Sequence, residues 1–67
     1  MAKFKIVLLN DDGRTVGELT VQALWRKEAI EMAELVAGDA APDCCRYEVW
    51  RGPTKIAHRA LAERTHH

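Results

Sequence analysis

Nothing in this 67-residue chain supplies an internal staple. Its only cysteines, Cys44 and Cys45, are adjacent, and neighbours in an extended segment point to opposite faces and rarely bridge each other. Zinc sites usually space their cysteines roughly two to four residues apart, so Cys44, Cys45 and His58 are not expected to hold a metal. Free thiols favour a reducing compartment, and the expected location is the cytoplasm. No apolar run approaches the roughly 20 residues of a bilayer span. The opening "MAKFKIVLLNDDG" has no apolar region leading to a small-residue cleavage site, so neither an anchor nor a signal peptide is expected. Net charge is missing as well. Ten basic and ten acidic side chains cancel, which leaves no global field to draw the protein to nucleic acid or a membrane surface. A slight asymmetry remains, since residues 1–42 carry five basic against seven acidic groups and the rest carry five against three.

The residues that are present describe a small mixed fold. "KFKIVLL" at 3–9 is a strand, and Asp12-Gly13 predicts a two-residue hairpin of type I′, which needs positive φ at both central positions. The return strand is 14–21, "RTVGELTV". This hairpin sets Leu8 opposite Gly17, Ile6 opposite Leu19 and Phe4 opposite Val21, and sorts Phe4, Ile6, Leu8, Leu19 and Val21 onto one apolar face. The other face carries Lys5, Val7, Leu9, Val16, Glu18 and Thr20.

Residues 23–37 are read as a helix, with Trp25, Ala29, Met32, Ala33 and Val36 at the spacing of a buried stripe. Gly38 is the expected stop, and Pro42 prevents continuation. The helix start is poorly marked, with no Ser, Asp or Asn beside Ala23. "CCRYEVWR" at 44–51 is the third strand. After Gly52-Pro53, residues 54–58 are read as a short fourth strand followed by a frayed tail; a helix over the same stretch is the alternative. The expected fold class is therefore α+β, a ββαββ antiparallel sheet of order 2-1-3-4 with one helix on one face. The alternative is ββαβ with a C-terminal helix. The domain is expected to span 1–58, with 59–67 as tail.

A sheet with one helix layer has an uncovered face. Val7, Leu9, Val16 and Trp50 are expected there as an interface patch framed by charges, since tryptophan is the commonest energetic anchor at protein contacts. Spacing within the last hairpin sets Tyr47 opposite His58, but so small a domain has little room for a substrate cavity, and no catalytic residue or cofactor is assigned. Asp11-Asp12 is explained by turn chemistry. Arg46, Arg51 and Lys55 form the candidate basic ridge of an alternative nucleic-acid-binding reading, opposed by Glu48 and Glu18 on the same face.

The segments "NDDGRTVGE", "EAIEMAELVAG" and "YEVWRGPTKIA" together resemble a family of very short uncharacterised bacterial proteins, built as hairpin, helix and hairpin with a Val-Trp-x-Gly-like turn. The resemblance implies the closing strand and a bacterial source, and brings no activity, cofactor or catalytic residue. One departure is "QALWRKEA", which stands where such proteins show acidic capping residues. The function expected from these observations is a non-enzymatic interaction module, a homodimer formed through the open sheet face or a sheet edge.

Overall fold

The computed structural model describes residues 1–40 and 43–61. Four strands and one helix follow in the order β1 (Ala2–Leu9), β2 (Thr15–Ala23), α1 (Arg26–Ala40), β3 (Arg46–Arg51) and β4 (Thr54–Ala60). All neighbouring strands are antiparallel and the sheet order is β2-β1-β3-β4. This is the α+β, ββαββ arrangement that the periodicity predicts. The Cα atoms extend only 15 Å along the thinnest axis. That thickness fits one helix on one sheet, with no second covering layer among the described residues.

The first hairpin has the predicted register by an unpredicted route. Leu8 faces Gly17, Ile6 faces Leu19 and Phe4 faces Val21, but Leu9 pairs with Thr15, with a register shift between Leu8 and Leu9. The turn is not a type I′ pair at Asp12-Gly13, because Gly13 alone has positive φ, at 81°. Instead the Gly13 N–H donates to the Asn10 carbonyl at 3.0 Å. The Asn10 side chain closes the rest, its Oδ1 accepting from the N–H groups of Asp12 and Arg14, each at 2.9 Å. An Asn side chain that binds the backbone ahead of it competes with the tighter turn. The wider loop shifts the pairing by one residue, and a bulge that leaves Val16 unpaired shifts it back.

β2 runs two residues beyond its expected end because Ala2 and Lys3 offer partners to Ala23 and Gln22. The helix consequently starts later, at Arg26. Its first turn is closed by the Ala29 N–H donating to the Trp25 carbonyl at 3.1 Å. Glu28 reaches back to accept from the Leu24 N–H at 2.9 Å, so a glutamate three residues into the helix does the capping that no residue beside Ala23 supplies. Trp25 thus precedes the helix and is 69% exposed, which overturns its place in the buried stripe. Gly38 lies inside the helix rather than ending it, with Ala37 and Ala40 holding the last turn against the core. The expectation for Pro42 falls outside the described residues.

Ala29, Ala33 and Ala37 sit fully buried on Phe4, Ile6, Leu8, Tyr47 and Val49, with Cys44 and Ala23 at the ends of the same cluster. The chain therefore brings its helix close to the sheet with alanine rather than with bulk. β4 extends through Ala60, past the expected boundary at 58. It is joined to β3 by Gly52-Pro53 with Gly52 at φ 61°, the positive φ that a type II′ turn places on its first central residue. A second bulge leaves Ile56 unpaired, and both Ile56 and Ala57 pack against the core.

Candidate interaction surface

The face away from the helix is set by the same alternation. Across the strands, Lys5 lies between Thr20 and Trp50, Val7 between Glu18 and Glu48, and Leu9 between Thr15 and Arg46. Val7 and Leu9 are thus on the side expected for the interface patch, and neither belongs to the core cluster under the helix. They are nevertheless buried, at 7% and 8% exposure. Their strand neighbours Lys5, Glu18, Glu48 and Arg46 carry long side chains whose stems can lie over apolar surface, which accounts for this burial.

Trp50 is half-buried and held on two sides. Its indole Nε1–H donates to Glu48 Oε1 at 3.0 Å, and the Lys55 ammonium lies 5.7 Å from its ring centroid. Lys55 Nζ is in turn 3.6 Å from Glu48 Oε2. The tryptophan among the charges is therefore the centre of a closed set in which carboxylate, ring and ammonium satisfy one another. Val16, the fourth residue of the expected patch, is elsewhere. The bulge swings it to a shallow cleft shared with Leu8, Asn10, Ala40 and Asp43, on the helix side of the sheet.

The basic ridge is not assembled either. Arg51 turns to the helix side, where its guanidinium lies 5.9 Å from the centroid of Phe4. Lys55 is engaged with Glu48, and Arg46 stands at the opposite end of β3 next to Leu9. Tyr47 faces Arg59 rather than His58, and His58 faces Glu48. Among the described residues no three His, Cys, Asp or Glu side chains gather closely enough to hold a metal ion.

Two further polar groups are placed by the core. The buried Tyr47 hydroxyl donates to Glu34 Oε2 at 3.2 Å, at the rim of an open cleft of about 390 Å³ that includes Arg26, Ile30 and Arg59. Burial, and then the adjacent Glu34 carboxylate, push the phenol above its usual pKa, with Arg59 opposing. Both cysteines are free; Cys44 is buried, and its Sγ lies 3.2 Å from the Arg46 carbonyl. The Cys45 thiol is raised first by its interaction with the Asp11 carboxylate and then by burial. A raised pKa means less thiolate at a given pH and slower attack. Cys45 is expected to react with iodoacetamide more slowly than an unfolded peptide thiol at pH 8, and Asp11→Asn to accelerate it. A wild-type rate equal to the peptide's would dismiss the influence of Asp11 on this thiol.

The apolar side chains that remain exposed lie elsewhere. Met1 precedes β1, Val16 is the second residue of β2, Leu24 and Trp25 follow its end, and Leu35 projects from α1 at 72% exposure. Glu34 and Ile30 face β3 and β4, so Met32 and Val36 occupy the opposite flank of the helix, while Leu35 lies almost opposite the buried Ala33 and points away from the sheet. Val16, Leu24 and Trp25 thus flank the two ends of β2, at one edge of the sheet. A contact surface there leaves little trace in hydrophobic periodicity, because Leu24 reads only as a flank of the helical stripe.

No helix among the described residues is long and apolar enough to cross a membrane. No family model, curated protein or solved structure matches the chain.

Proposed function

We propose that this protein is a small non-enzymatic interaction module that associates with a second copy of itself along the β2 edge, in a reducing, cytoplasmic setting. The observation that carries this reading is the flanking of β2 by exposed apolar side chains, Val16 near its start and Leu24 and Trp25 just past its end. Of the two routes expected from the sequence, the open sheet face has its apolar centre covered and its tryptophan engaged. The edge has neither. A binding role rather than a catalytic one is supported by how the carboxylates are used: Glu28 caps the helix, Glu34 accepts from Tyr47, and Glu48 serves Trp50 and Lys55. A domain this small gains only about 3–5 kcal/mol from its own core, so association also adds stability by mass action. The free thiols Cys44 and Cys45 support the reducing compartment.

Sedimentation velocity over a concentration series is the test. The wild type is expected to pass from monomer to dimer as concentration rises. Leu24→Glu, at an exposed position just past the end of β2, is expected to weaken that transition about tenfold, the equivalent of about 1.4 kcal/mol, without unfolding the monomer. A wild type that stays monomeric at millimolar concentration rules out self-association.

A further inference from the structure

A four-stranded open sheet has two edges, and this one treats them differently. β4 carries the usual devices against strand addition: Pro53 at its entry, a bulge at Ile56, and the charges of Lys55 and Arg59. In β2 the bulge is confined to Val16, beside the turn. From Gly17 to Ala23 the strand is regular, has β-favouring Leu, Val and Thr, and bears one charge, Glu18. It is the unguarded edge.

The direction of its main-chain groups follows from the ladder. The Asn10 N–H donates to the Arg14 carbonyl at 2.9 Å, so Asn10 points its backbone at β2. Alternate residues do likewise, and Leu8, Ile6 and Phe4 exchange hydrogen bonds with Gly17, Leu19 and Val21. Glu18, Thr20 and Gln22 must then direct their N–H and C=O groups away from the sheet. These three donors and three acceptors have no partner strand among the described residues.

We propose that β2 pairs antiparallel with the β2 of a second copy about a two-fold axis at Thr20, joining two sheets into one of eight strands. This rests on the self-association reading above and adds its register. Outward residues can only meet outward residues, which leaves few choices. An axis at Glu18 sets that carboxylate against its own copy, and like charges directly opposite are unfavourable. With the axis at Leu19, Gln22 lies opposite the partner's Val16, in the bulge. An axis at Thr20 uses the whole regular stretch. Glu18 then faces the partner's Gln22, Thr20 faces itself, and Leu19 meets the partner's Val21 on the helix side. Each threonine and each carboxylate has a compatible neighbour, and the surface is self-complementary as a two-fold contact requires.

The pairing is tested by charge substitution at the exposed Glu18 and Gln22, whose side chains make no hydrogen bond or ion pair among the described residues. Gln22→Glu puts two carboxylates opposite Glu18 residues and is expected to raise the dimer dissociation constant several-fold. Glu18→Lys combined with Gln22→Glu makes both contacts attractive and is expected to restore association to the wild-type level or better. In parallel, NMR amide exchange at Glu18, Thr20 and Gln22 should slow as concentration rises, while His58 on the guarded edge stays unchanged. A dimer whose affinity is indifferent to both variants, or whose Thr20 amide exchanges equally fast at all concentrations, refutes this register and leaves self-association standing. A wild type that never dimerises refutes both.

Discussion

Tyr47→Ala is expected to leave the chain largely unfolded at room temperature. Tyr47 is among the largest fully buried side chains and joins β3 to α1 through the core. Truncating a buried aromatic removes about 3–5 kcal/mol, and a single core of this size supplies about the same in total. Far-UV circular dichroism against urea would show it, and a cooperative transition near the wild-type midpoint would mean that Tyr47 is peripheral. Tyr47→Phe separates the ring from the hydroxyl. It keeps the packing and loses one hydrogen bond to a carboxylate, an effect of about 1.5–3 kcal/mol at most for a charged partner, reduced here because Glu34 is exposed.

The two forms also differ in alkali. The Tyr47 phenol is held above the usual tyrosine range by burial and by the Glu34 carboxylate beside it. A folded-state pKa above the unfolded one means that the native state holds its proton longer. The corresponding stability is fully present below about pH 10 and is lost as pH rises through the folded value. Wild type is expected to weaken through that window and Tyr47→Phe to lack this component. Parallel stability curves for the two proteins above pH 10 would contradict the assignment.

Ala33→Leu is the second large effect, in the opposite sense of volume. Ala29, Ala33 and Ala37 are fully buried against the sheet, so the middle position has no free space on its inner side. The added isobutyl group has to push the helix outward or take a poor rotamer. Overpacking of this kind costs about 1–3 kcal/mol, a large share of what this domain has. Denaturant unfolding should show a lower midpoint at unchanged slope. An unchanged midpoint would mean that the helix does not seat on the sheet through its alanines.

Much of this architecture was legible residue by residue. Period-two sorting in β1 named Phe4, Ile6 and Leu8 as the inner face and paired them with Val21, Leu19 and Gly17, because a slip would bury Lys3 and Lys5. The closing strand was likewise readable from Gly52-Pro53, although its bulge was not. The contact surface was less accessible. Val7 and Leu9 were on the expected side, but whether an apolar residue on an open face is exposed depends on which long side chains cross over it. Trp25 was misplaced because its spacing matched the helical stripe while β2 pairing delayed the helix past it.

What the sequence determined alone was the order of the elements, the sheet order and the inward face of each strand, since these follow from local periodicity and turn chemistry. Tertiary structure decided the two bulges, the late start of α1, the closure of Glu48, Trp50 and Lys55 over the sheet face, and which edge was left unguarded. Those depend on contacts between residues far apart in the chain, where several weak preferences compete and the pairing of whole strands determines which of them prevails.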